Sequence, residues 1–151
     1  MRAVLQLVNG ASVRVDGQVI GQCGRGYLIL LGIGQKDTFV QAQQLAQKIL
    51  KLRVFPDEQG KMNRSIVDIG GEILLISQFT LYANVRHGNR PDFLQAAKPA
   101  DAVPLYESFI TLLRKDVQHV ETGEFGAHMQ VQLTNDGPVT IVIDTDMLSK
   151  A

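Results

Sequence analysis

Tyr27-Leu28-Ile29-Leu30-Leu31-Gly32-Ile33 is an apolar run with Gly26 and Gly34 at its ends. It does not alternate between polar and apolar residues. A strand with one wet face would alternate, so this pattern predicts a central strand covered on both sides. Working outward, Ser12-Val13-Arg14-Val15 does alternate, Asp16-Gly17 is a tight hairpin turn, and Val19-Ile20 returns along it. Further upstream, Val4 to Val8 reads as a mostly buried strand ended by the turn pair Asn9-Gly10. Downstream, Asp37 or Thr38 is placed to cap a helix whose inward face is Ala42, Leu45, Ala46, Ile49 and Leu52.

The remaining segments fill out one domain. Arg53-Val54-Phe55 reads as a short strand stopped by Pro56 to Gly60, and Glu72 to Ser77 as a buried strand after Gly70-Gly71. Residues 84–99 hold turn formers and the basic residues Arg86, His87 and Arg90, which predicts an exposed loop with a short helix. A second helix is expected from Pro104 to Val117, with Leu105, Phe109 and Leu112 beside Tyr106, Ile110 and Leu113. Met129 to Leu133 alternates strictly, and Asn135-Asp136-Gly137-Pro138 turns the chain into Val139 to Ile143. The chain is expected to fray after Asp144, leaving 1–145 as the domain and 146–151 as a tail. This order predicts an α+β fold: a single domain in which a mixed, curled, barrel-like sheet carries two main helices.

Composition narrows the function classes. At 151 residues the chain is the size of one ordinary domain, with 45% hydrophobic and 20% charged residues, as in a soluble globular protein. No apolar run approaches the roughly 20 residues needed to span a bilayer. The N-terminal residues lack the order of a secretory signal. Cys23 is the only cysteine, which excludes an intrachain disulfide framework and fits a reducing, cytoplasmic home. Formal net charge is zero, which argues against wrapping a long stretch of nucleic acid but leaves recognition of an RNA end open.

Familiar catalytic apparatus is sparse. His87, His119 and His128 show no metal-ligand spacing, so structural or surface roles are expected for them and no metal site is proposed. Gly21, Gly24 and Gly26 open a strand and not a helix, the wrong context for a dinucleotide or phosphate loop. Nothing near Cys23 would make it a thiolate nucleophile. Two segments remain. Ser77-Gln78-Phe79-Thr80-Leu81-Tyr82 presents hydrogen-bonding groups at a strand end, for a ligand or merely for local backbone groups. Asn135-Asp136-Gly137-Pro138-Val139-Thr140 lies between two strands and, by composition alone, is a hairpin turn.

Together these segments resemble the D-aminoacyl-tRNA deacylases. The likeness runs through Ser77 to Leu81 and Asn135 to Thr140. It extends through Gly60-Lys61-Met62-Asn63, Gly88-Asn89-Arg90-Pro91 and Thr122-Gly123-Glu124-Phe125 with Met129, over nearly all of the first 143 residues. The resemblance implies hydrolysis of the ester between a D-amino acid and the 3′-terminal adenosine of tRNA. It implies no metal or organic cofactor, and a homodimer in which a cis Gly137-Pro138 turn enters the partner's active site. Two carbonyls of that turn would hold the substrate ammonium and leave no room for an L-side chain.

By the same likeness the backbone amides near Phe79 and Thr80 hold the substrate carbonyl, Ser77 and Gln78 support that strand end, and Phe125 and Met129 contact the adenine. The ribose 2′-hydroxyl would assist. Competing readings are a covalent Thr80 nucleophile, a paralogue that clears glycine or another misattached residue, and a non-catalytic module that captures tRNA ends. One departure matters: the family's arginine after the first-strand glutamine is Leu7 here, in Gln6-Leu7-Val8. Arg2 or a partner-chain residue is the candidate substitute for that anchor of the Gly137-Pro138 turn.

Overall fold

The computed structural model describes residues 1–149. Strand β1 (Arg2–Val15) is the spine of the sheet. Along one edge it pairs antiparallel with β8 (Gln130–Asp144); along the other it pairs first with β3 (Gly26–Gly32) and then with β2 (Gln18–Cys23). Strand β3 continues parallel to β6 (Glu72–Ser77), which pairs parallel to β7 (Val120–Thr122). Phe55–Pro56 (β4) and Met62–Arg64 (β5) form a separate small hairpin.

The sheet curls until β2 approaches β7, and there side chains replace a backbone ladder. Gln22 N donates to Glu121 Oε1 at 3.1 Å, and His119 Nε2 lies 2.9 Å from Gln22 O and 2.6 Å from Glu121 Oε2. The bond to the Gln22 carbonyl, with Glu72 and Glu121 nearby, raises the affinity of His119 for a proton. The structural reading of this histidine holds; it closes the barrel-like curl.

The unbroken apolar run has its explanation in two cores. Tyr27, Ile29 and Leu31 of β3 and Ile73 and Leu75 of β6 face α1 (Phe39–Lys51) and α2 (Pro99–Arg114). Leu28, Leu74 and Ile76 face the interior of the curl with Val8, Val13 and Cys23. Leu45, Ile49, Phe109 and Leu113 are fully buried between helices and sheet, and burial of each such side chain contributes about 1.5–3 kcal/mol. Cys23 is an inert member of the inner core, its thiol pushed up to about 11 chiefly by burial.

Several boundaries differ from the sequence-based expectations. Asn9-Gly10 does not end a strand: β1 runs through it, and the irregularity appears as register shifts in the pairing with β8. Of the two candidate caps, Thr38 caps α1 in a capping box with Gln41. Asp37 is used elsewhere, accepting from the Met1 ammonium at 2.7 Å and from Gly34 N at 2.6 Å. Helix α2 starts at Pro99 and not at Pro104, because Pro99 takes the first helical position, where its missing N–H costs nothing. Lys98 O accepts from Asp101 N and Ala102 N, both at 2.9 Å, and Pro104 is carried inside the helix.

The short helix expected within 84–99 does not form there: residues 84–98 are turns, bends and isolated bridges, and a separate 3₁₀ turn precedes them at Phe79–Tyr82. The segment after Asp144 is not loose where it is described. Thr145–Met147 forms a 3₁₀ turn, and Thr145 is buried with its hydroxyl 2.8 Å from the Met1 ammonium. Residues 150 and 151 of the expected tail lie outside the described residues. No described helix is long and apolar enough to cross a membrane.

Candidate active site

A cavity of about 590 Å³ opens where β3 and β6 end. Its walls are Leu31, Ile33 and Ile76 from the sheet, Phe93 and Ala96 to Pro99 from the loop before α2, and Phe125 to Met129 from the segment after β7. Ser77, Gln78 and Phe79 form its rim. Gln78 N donates to Leu31 O at 2.7 Å, carrying the parallel ladder one residue past β6. The chain then leaves the strand conformation and coils into the 3₁₀ turn.

This turn can seat so closely because residue 32 is glycine. A β-carbon there would stand 3.0 Å from Leu81 Cβ and 3.1 Å from Gln78 O. Among the described residues no side chain caps the turn; the amide of Gln78 donates instead to Thr80 Oγ1. The first N–H of the turn with an acceptor is that of Leu81, bonded to Gln78 O at 3.2 Å. The amides of Phe79 and Thr80, the two residues before Leu81, take no part in the turn's own hydrogen bonding, and Phe79 stands at the cavity rim.

Arg2 fixes the other end of the turn. Its guanidinium donates from Nη1 to Leu81 O at 2.9 Å and from Nε to Asp144 Oδ2 at 3.0 Å, and lies 4.4 Å from the centre of the Tyr82 ring. Burial first, and then the carboxylate of Asp37, raise the Tyr82 phenol well above its usual range, so it is a neutral donor to that carboxylate at 3.4 Å.

The adenine candidates stand on the opposite wall. Phe125 packs on Tyr106 with ring centres 5.8 Å apart, and Tyr106 is fixed by a 3.1 Å bond from its hydroxyl to Leu75 O. Met129 lies against the backbone of Gly123, where a β-carbon would stand 2.5 Å from its sulfur. Phe79 is 57% exposed and meets Phe93 in a T-shaped contact with ring centres 5.1 Å apart.

Ser77, Gln78, Phe79, Phe125 and Met129 are thus brought to one cavity, and Thr80 stands beside it without lining it. Gly137 and Pro138 are not brought there within the single chain. Their peptide is cis, and the segment is no hairpin turn, because both halves of β8 pair with the same strand β1. Asn135 pairs with Val8 and Thr140 with Gln6, so Asp136, Gly137, Pro138 and Val139 bulge out opposite Leu7 alone. The Asn135 amide donates to Leu7 O at 2.9 Å and to Val139 O at 3.0 Å, closing the base of the bulge. Arg2, the substitute anchor suggested by the sequence, is engaged at Leu81 and Asp144 instead. Leu7 itself is buried in the helix-side core.

The sequence reading also missed Phe93, Lys98 and His128 as cavity residues. The only signal for the first two was the small-residue run Ala96-Ala97 between an aromatic and a cation. Among the described residues, no group of three His, Cys, Asp or Glu side chains is arranged to hold a metal.

The comparisons with known proteins agree with this architecture. The family model described as D-Tyr-tRNA(Tyr) deacylase matches residues 4–144. A D-aminoacyl-tRNA deacylase from Thermus aquaticus is 57% identical over 145 residues, covering 96% of this chain and 95% of the relative. One from Symbiobacterium thermophilum is 55% identical over 146 residues, covering 97% of each. Among solved structures, a c-Myc DNA unwinding element binding protein superposes with a TM-score of 0.91 at 46% identity over the whole of both chains. A probable eukaryotic D-amino acid tRNA deacylase shares the fold, with a TM-score of 0.81 at 17% identity over 94% of this chain and 97% of that one. A model match across nearly every described strand and helix, with relatives above half identity end to end, means that the chain belongs to the D-Tyr-tRNA(Tyr) deacylase family of hydrolases.

Proposed function

We propose that the cavity hydrolyses the ester joining a D-amino acid to the 3′-terminal adenosine of tRNA. The observation that carries this reading is the uncapped 3₁₀ turn at the rim, which leaves the Phe79 and Thr80 amides free beside an aromatic-walled cavity. Water attacks the ester carbonyl carbon, and those amides hold the oxyanion that forms. The bond to the ribose 3′-oxygen then breaks, and that oxygen takes up a proton with the adjacent 2′-hydroxyl assisting. An aminoacyl ester is already activated, so positioning and oxyanion stabilisation suffice. Adenine lies between Phe125 and Met129. Ser77 and Gln78 hold the strand end in place.

The Gly137-Pro138 bulge selects chirality in a second copy of the chain. Gly137 and Pro138 are exposed, on a 15-residue edge strand whose Val142 is 72% exposed. Such an edge calls for a partner. Seated in the partner's cavity, the bulge excludes an L-side chain, while glycine, having none, enters and is also cleared. A tRNA substrate puts the enzyme in the cytoplasm. For Thr80 as nucleophile the geometry offers no base: its hydroxyl meets the Gln78 amide, which can only donate to it.

Deacylation of D-, L- and glycyl-tRNA by the purified protein tests the reading. D- and glycyl-tRNA should be cleaved and L-aminoacyl-tRNA spared. The D-ester on tRNA ending in 2′-deoxyadenosine should react poorly. Cleavage of the L-form at the D-rate would overturn the chirality assignment, and an acyl ester trapped on Thr80 would overturn the water mechanism.

A further inference from the structure

We propose that the arm formed by residues 84–92 is a phosphate-contacting surface for the RNA backbone leading into the cavity. This rests on the aminoacyl-tRNA reading above. The arm is closed at its base by two backbone bonds, Asn84 N to Asp92 O at 2.8 Å and Asp92 N to Asn84 O at 3.1 Å. Everything between, from Val85 to Pro91, is exposed. Asn84 Oδ1 accepts from Arg86 N at 3.0 Å, which shapes the outgoing limb.

Position ties the arm to the site. It begins two residues after the 3₁₀ turn, and its return limb runs through Phe93 and Ala96 to Pro99 in the cavity wall. Both ends of the arm thus join segments of the cavity's rim and wall, where the backbone of a polynucleotide with its terminal nucleoside in the cavity would meet it.

Charge supplies the second observation. Arg86 and Arg90 stand on the arm with His87, and no acid lies between Asn84 and Pro91. The carboxylate of Asp92, at the base, accepts from Leu94 N at 3.3 Å. Among the described residues neither arginine makes an ion pair, whereas Asp37, Glu58, Asp144, Glu72 and Glu121 all lie against positively charged groups or His119 elsewhere. The formal charge of zero therefore conceals a local excess of positive charge on the arm. Guanidinium groups suit phosphate oxygens through paired, charge-assisted N–H donors. An end-recognising enzyme needs only a few such contacts, which reconciles neutrality with an RNA substrate.

The test is binding of an RNA hairpin with a single-stranded CCA end, measured by fluorescence anisotropy over a series of salt concentrations. Arg86→Gln/Arg90→Gln should weaken binding about tenfold or more. It should also lower the slope of log affinity against log salt by about 1.4–1.8, as expected for the loss of two phosphate contacts. Lys48→Gln, which removes one charge on α1, should leave the slope at the parental value. In parallel, the ratio of kcat/KM for D-aminoacyl-tRNA to that for the D-aminoacyl ester of adenosine, which has no phosphate, should fall with the affinity.

Parental affinity and slope in the double variant would overturn the proposal. So would an equal loss on the nucleoside ester, which would make the arginines part of the site's scaffold. A parent that binds the hairpin but cleaves neither ester would sink the deacylase reading while the salt slope still decides the role of the arm.

Discussion

The strand end at Ser77–Tyr82 and the bulge at Asp136–Val139 carry the two family motifs, and they are held in opposite ways. The first is built into the protein: the ladder bond from Gln78 to Leu31, close seating on Gly32, and the Arg2 clamp on Leu81 all tie it to the sheet. The second leaves the edge of the sheet, and its base is closed by one side chain, Asn135. A wall proposed to hold a developing charge would gain from a rigid mount within its own chain. A part proposed to work inside another copy would have to project, and projection leaves few groups to support it. The difference predicts unequal sensitivity to substitution.

The largest effect is expected from Asn135→Ala. It frees the carbonyls of Leu7 and Val139 and releases the bulge, at about 1–3 kcal/mol of stability. Displacement of a positioning element by about 1 Å can cost on the order of 100-fold in rate. Turnover of D-aminoacyl-tRNA should fall by that order and the ratio of D- to L-cleavage should drop with it. Parental kinetics in this variant would show that the bulge is held by something other than Asn135.

Arg2→Ala should come next, because the turn at Phe79–Tyr82 keeps its other supports when this clamp is lost. The expected result is a fall in kcat of about tenfold with KM little changed, since about 1.4 kcal/mol of transition-state stabilisation corresponds to that factor. Arg2→Lys should recover only part of the loss, because an ammonium cannot reach Leu81 O and Asp144 with the same planar fork. A pure KM effect would place Arg2 in substrate binding instead of in positioning.

The smallest effect belongs to the seam far from both motifs. His119 binds a proton more tightly in the folded protein than in the unfolded chain. Its added stability is therefore fullest below the ordinary histidine value of about 6.5 and fades as pH rises through the raised folded value. The ring is 38% exposed, so solvent screens the interaction. The Tm gap between the parent and His119→Gln should be a few degrees at about pH 5.5 and shrink by about pH 8.5, with deacylation unchanged when both are measured at one temperature well below either Tm. A gap that widens with pH would mean that the seam is held by the neutral ring.

Much of the site was legible because it is local. Ser77 to Thr80 follow a buried strand directly, so their place at its end is a property of a few consecutive residues. Phe125 and Met129 entered only through the family likeness; their convergence on the same cavity depends on β7 pairing with β6, a contact between residues far apart in sequence. Pro104 reads as a helix start because an interior proline is disfavoured, yet α2 begins at Pro99. Helix packing, with Ala102 buried, overrode that preference.

By itself the sequence determined which segments must be strands and helices and which apolar faces must be covered, because periodicity and turn chemistry act over a few residues. It also determined, through its motifs, the family to which the chain belongs. Only the tertiary structure decided that Asn135 to Thr140 is a bulge on one continuous edge and not the tip of a hairpin. The two possibilities share every local preference and differ only in whether the flanking halves pair with each other or with β1. It likewise decided that Arg2 serves the turn at Leu81 while Asn135 holds the bulge opposite Leu7. Those pairings join residues that lie 79 and 128 positions apart in the chain, and no local rule of sequence reaches that far.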